Sequence, residues 1–135
     1  MNQEMEDVLI ELLNLFALGP SNKREIVDRI SANSRLPFET CAARLIEELR
    51  DYSTYRVIDP DSEARTEAEM RLEELHSLTY LMLQSRDREL WSRETIATIG
   101  VWTLLCRLAD EASRALGRIP TGRIDVESLT FRIME

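Results

Sequence analysis

Phe38, Cys41, Ala42, Leu45, Ile46, Leu49 and Tyr52 recur at intervals of three and four residues, the spacing that lays one apolar stripe along an α-helix. A stripe this regular commits the middle of the chain to a helix packed on a core. Pro37 suits its first turn, where a missing N–H costs nothing. Two more helical patterns precede it. Met5, Val8, Leu9, Leu12, Leu13, Leu15 and Phe16 form the first, leaving Glu6, Asp7, Glu11 and Asn14 for water, and Gly19-Pro20 stops it. Asn22 with Glu25 fits a capping box for a short second helix carrying Ile26, Val27 and Ile30, and Ser31 to Arg35 reads as a polar turn. After the stripe, Tyr55-Arg56-Val57-Ile58 is rich in β-formers and ends at Asp59-Pro60, so one short strand or extended segment is expected near 54–58.

The second half reads as a long helical hairpin. A helix is expected to start at Asp61 or Ser62, to carry i,i+4 ladders from Arg65 to Glu69 and Glu67 to Arg71, and to turn apolar through Leu72, Leu75, Leu78, Leu81, Met82 and Leu83. Ser85-Arg86-Asp87 is the turn. One long helix from about Glu89 or Ser92 to Leu116, stopped by Gly117, is expected to be apolar nearly all round between Ile96 and Leu105 and to lie at the centre of the fold. Residues 124–133 fit either period: Val126, Leu129 and Ile133 suit a helix, whereas Leu129, Phe131 and Ile133 alternate like a strand. A short helix is preferred.

The expected fold is therefore all-α, with at most one short strand or β-ribbon near 54–58. A three-helix unit over 1–60 packs on a helical hairpin and C-terminal segment over 61–135. At 135 residues the two halves are better served by one shared core than by two small ones, because a 60-residue unit buries only about 60% of its unfolded surface. The longest uncharged run, Thr95 to Cys106, falls short of the roughly 20 residues that cross a bilayer. No membrane partner is expected. The acidic start at Glu4, Glu6 and Asp7 does not read as a secretion signal, and two cysteines on apolar helix positions, Cys41 and Cys106, suit a cytoplasmic protein without a structural disulfide.

The net charge of −8 is unevenly spread. Residues 1–20 and 61–90 each carry −4, while 21–60 hold seven bases against seven acids. The segment between them therefore lacks the basic footprint that phosphate binding usually requires.

His76 is the only histidine, which removes most zinc and nucleophile–base designs. Glu73-x-x-His76 has the spacing used in di-iron bundles, but those sites need the motif twice. Asp59, Asp61 and Glu63 imitate the start of a calcium loop without its glycine and twelfth-position glutamate, and read better as acids at a helix N-terminus. The four glycines are unclustered, so no phosphate-binding loop forms. No cofactor, metal or enzymatic chemistry is expected. Trp91 and Trp102 read as core or dimer-interface anchors.

The segments Leu12 to Pro20, Arg24 to Val27 and Ala43 to Leu49 give residues 8–58 an order of helix, turn, helix, turn, helix that resembles the first half of a winged helix-turn-helix regulator of the PadR type. The resemblance implies a third helix in the DNA major groove, with Glu39, Thr40 and Arg44 towards base edges and Lys23 and Arg35 near phosphate. It also implies dimerisation through residues 61–116. Two functions follow. The charge distribution favours a small acidic, non-enzymatic protein that works through protein contacts as a regulator, adaptor or inhibitor, either with a partner or as a homodimer. The alternative is a dimeric DNA-binding regulator.

Overall fold

Among the residues described by the computed structural model, which are 3–57, 66–98 and 100–134, the chain forms seven α-helices and no strand. They are α1 (Gln3–Phe16), α2 (Pro20–Ser34), α3 (Phe38–Val57), α4 (Glu67–Gln84), α5 (Arg93–Thr98), α6 (Gly100–Ala115) and α7 (Val126–Met134), with a 3-10 turn at Arg88–Trp91 before α5. The protein is all-α, a bundle of packed helices.

Val8, Leu9, Leu12, Leu13, Leu15 and Phe16 bury one broad side of α1, which packs against α3 and α6. The side opposite is not all water, however. Glu11 and Asn14, expected outside, are half covered where residues 123–125 lead into α7. The second helix starts at Pro20, two residues before the expected cap at Asn22. Gly19 is its extended N-cap, no side chain caps it, and the fixed φ of proline opens the first turn instead. It also runs on through Ser31, where a polar turn was expected. It ends where Arg35 takes the left-handed conformation, φ 62°, and donates its N–H to Ser31 O at 2.9 Å.

The expected strand near 54–58 is not there: Tyr55 to Val57 continue α3, and Ile58 lies outside the described residues. The Ser53 and Thr54 hydroxyls donate to Arg50 O at 2.9 and 2.8 Å, and the Tyr52 and Tyr55 rings meet edge to face one turn apart. Local helical satisfaction thus outweighs the β-preference of the aromatic and branched residues. The helix start expected at Asp61 or Ser62, Arg65 of the first ladder, and the acids Asp59, Asp61 and Glu63 also lie outside the described residues. Thr66, in extended conformation, caps α4 by accepting from Glu69 N at 3.2 Å.

Of the single long helix expected from residue 89 or 92 to 116, the described residues form a 3-10 turn over 88–91, then α5 and α6, and Ile99 lies outside them. Asp87 caps the 3-10 turn, and Ser92 caps α5 by accepting from Thr95 N at 3.1 Å. The stretch is not buried all round, since Thr103 and Leu104 are exposed. Gly117, at φ +80°, ends α6 with paired bonds from Gly117 N to Arg114 O and Arg118 N to Ser113 O. In the C-terminal segment the helical reading holds: Asp125 caps α7, and Val126, Leu129 and Ile133 are buried, the helix packing on α2 and α3. All seven helices contribute to one contiguous buried cluster. None is long and apolar enough to cross a membrane.

Candidate functional site

Of the residues assigned a groove-reading role, Arg35, Glu39 and Thr40 lie at the α2–α3 turn and the start of α3, with Arg35 and Glu39 exposed. Arg44 is committed elsewhere, donating from Nη1 to Ile133 O at 2.7 Å, so that α7 is fastened to α3 beside that face. The placement of Lys23 near phosphate is corrected. It is 1% exposed, with Nζ 6.0 Å from the centre of the Trp102 ring, and burial holds its pKa below the usual lysine range.

Trp102 is likewise core rather than interface, at 1% exposure. It stacks on Phe16 at 6.4 Å, meets Trp91 edge-on at 5.8 Å and donates Nε1–H to Leu90 O at 2.8 Å, while Trp91 stays half-buried. The Cys106 thiol reaches Ala17 O and Leu18 O, both at 3.4 Å, and so ties α6 to the α1–α2 corner. Both cysteines are free thiols.

His76 meets two hydroxyls: its Nδ1 is 3.1 Å from Ser53 Oγ and 3.4 Å from Thr54 Oγ1. With both hydroxyl hydrogens given to Arg50 O, the tautomer that satisfies all three groups has the proton on Nδ1, donating to the oxygens. That polarity is the reverse of a base activating a serine, and Ser53 is fully buried. Burial, followed by the charge of Arg50, lowers the His76 pKa. The group is a polar tie between α3 and α4. Among the described residues, no set of three or more histidine, cysteine or acidic side chains is placed to hold a metal.

A polar cleft separates α1 from the start of α7. Glu11 Oε1, Asn14 Oδ1 and Arg132 Nε are each buried without a hydrogen-bond partner, and burial, reinforced by Asp125, raises the Glu11 pKa. Ordered water is the ordinary way such atoms are satisfied.

The surface least explained by folding lies between α4 and α6. The core side of α4 is Ala68, Leu72, Leu75, Thr79 and Met82. Met70 and Leu81, eleven residues apart and hence three turns along one line, stand off that stripe at 49% and 64% exposure. Leu104 on α6, at 36%, faces the same space. Leu78 and Leu108 complete an apolar groove of about 560 Å³. The charged residues lining it are Glu73 and Glu74. Around its edge Arg71 is shared among Glu67, Glu74 and Glu111 at 3.9, 3.9 and 3.4 Å, and Arg107 also meets Glu111. Among the described residues, Arg71 and Arg107 are thus shared by three acids, Glu67, Glu74 and Glu111. Sequence reasoning missed the groove, although one signal was present: α4 carries Met70 and Leu81 outside the stripe of its own core face. Comparison with known protein families, curated proteins and solved structures finds no match to this chain.

Proposed function

We propose that the protein is a non-enzymatic helical interaction module, a regulator, adaptor or inhibitor, that takes up part of another polypeptide in the groove between α4 and α6. The observation that carries this reading is the exposure of Met70, Leu81 and Leu104 around one concave apolar surface. Large side chains that contribute little to their own core and line a common groove are the usual mark of a contact site. His76, the chain's one histidine, supports a structural role through its contacts with buried Ser53 and half-buried Thr54. Two free thiols suit the reducing interior of a cell, so the reading places the module in the cytoplasm.

The test is site-specific photocrosslinking in cells. A photoreactive residue at Ser77, on the groove, is expected to join one discrete partner, and the adduct is expected to vanish when Leu81→Glu is added. The same probe at Glu25, on exposed α2, is expected to give none. Equal labelling from both positions, or none from Ser77, would overturn the reading.

A further inference from the structure

Resting on that docking role, we infer that the occupant of the α4–α6 groove is a basic amphipathic helix of a different protein rather than a second copy of this chain. Three observations converge. The first is length: Met70 to Leu81 spans about 16 Å along α4, which matches some three turns of a partner helix presenting apolar residues at i, i+3, i+4 and i+7. The second is area. The groove's exposed apolar side chains, Met70, Leu81 and Leu104, are too few to supply by themselves the roughly 800 Å² per partner of a standard stable interface. A single inserted helix matches the length of the groove; a homodimer would need much more surface.

The third observation is charge. Among the described residues, Glu67, Glu74 and Glu111 outnumber Arg71 and Arg107 around the groove, and the wider segment 61–90 carries −4. Two copies meeting through this face across a two-fold axis would set like charge against like. A helix whose flanks carry lysine or arginine meets the acids while its apolar edge fills the space between Leu78, Leu81 and Leu104. Positive flanks also steer it in from solution, because the whole chain is acidic.

The decisive measurement uses the full chain and two designed 14-residue peptides with identical leucine positions, one with lysine and one with glutamate on the polar face. Fluorescence anisotropy should show the leucine–lysine peptide binding at least tenfold more tightly than the leucine–glutamate one, with affinity falling as salt rises. Leu81→Glu and Leu104→Glu should each weaken it at least tenfold, and Glu74→Gln several-fold. Phe131→Glu, which changes the exposed face of α7, should leave it unchanged. Leu81 and Leu104 are exposed, so these variants open no cavity, and unaltered circular dichroism checks that they are folded. Equal, salt-insensitive binding of both peptides would overturn the basic occupant while leaving the docking site standing. So would a native dimer that Leu81→Glu dissociates. Failure of both peptides to bind, together with no crosslink from Ser77, would instead sink the docking role itself.

Discussion

Two side chains are held in this fold against their own preferences, and each makes a measurable cost. Arg35 sits at φ 62° to end α2, a conformation that crowds the Cβ of any L-residue and that glycine adopts freely. Arg35→Gly is expected to raise stability by about 1 kcal/mol in urea unfolding, the relief of strain exceeding the added freedom of the unfolded chain. An unchanged midpoint would mean that the arginine side chain offsets the strain through contacts of its own. Lys23 is the second case. Its pKa is lowered in the fold, so the stability linked to its neutral amine is complete above its ordinary value of 10.5 and is lost as pH falls through the folded value. Below the folded value the protein carries the cost of a buried ammonium, partly offset by the face of Trp102. Lys23→Met keeps the stem and removes the charge. It is expected to stabilise the protein by about 1 kcal/mol at pH 7, and by less at pH 10. A comparable loss instead would show that the ammonium is worth more to the core than it costs to bury.

At the scale of elements, the α3–α4 pair carries a titratable tie. His76 lowers its pKa on folding, chiefly through burial and secondly through Arg50, so the neutral ring is the form the native state prefers. Its contribution is present in full above pH 6.5 and is lost as pH falls from there through the folded value. Thermal unfolding followed from pH 7.5 downward should show the midpoint dropping below pH 6.5, and His76→Gln should flatten that part of the profile. An identical slope in the variant would assign the acid sensitivity to another group. The same pair shows what can be read from the residues alone. The α3 stripe, the stop at Gly117 and the helical choice for α7 were legible because each depends on local periodicity or on a backbone position only glycine fills readily. The end of α3 was not, since Tyr55 and Val57 are β-formers in isolation, and their helical state comes from satisfied hydroxyls and ring contacts one turn back. The groove was hidden for a different reason: residues 78–83 are apolar almost without interruption and read as one buried stretch, and only packing separates exposed Leu81 from buried Leu75.

For the molecule as a whole, the question is whether residues 3–57 and 66–134 are one cooperative unit. The contacts that join them are spread over the whole length: α1 lies on α6, α2 on both α5 and α7, and α3 on α4, with the bidentate Asp28–Arg93 pair at 2.7 and 2.8 Å on the outside. No helix pair within either part could bury Phe16, Leu45, Leu72 and Trp102 by itself, because their cluster is contiguous across both. Each part alone would bury at most about 60% of the surface its unfolded chain exposes, the regime in which an isolated domain is marginal. The two tryptophans provide a direct probe, for Trp102 belongs to α6 yet rests on Phe16 of α1 and below Lys23 of α2. Its fluorescence therefore reports the junction, whereas far-ultraviolet circular dichroism reports helices everywhere. Cooperative unfolding through one core requires the two signals to change together in urea, with a single midpoint and slope. Trp102→Phe removes this reporter, and its circular-dichroism midpoint should fall, by about 2 kcal/mol of stability, as the indole bond to Leu90 O and part of the packed volume are lost. A fluorescence change that precedes the loss of helix would show the halves parting before either melts, and the chain would then be two weakly joined units rather than one.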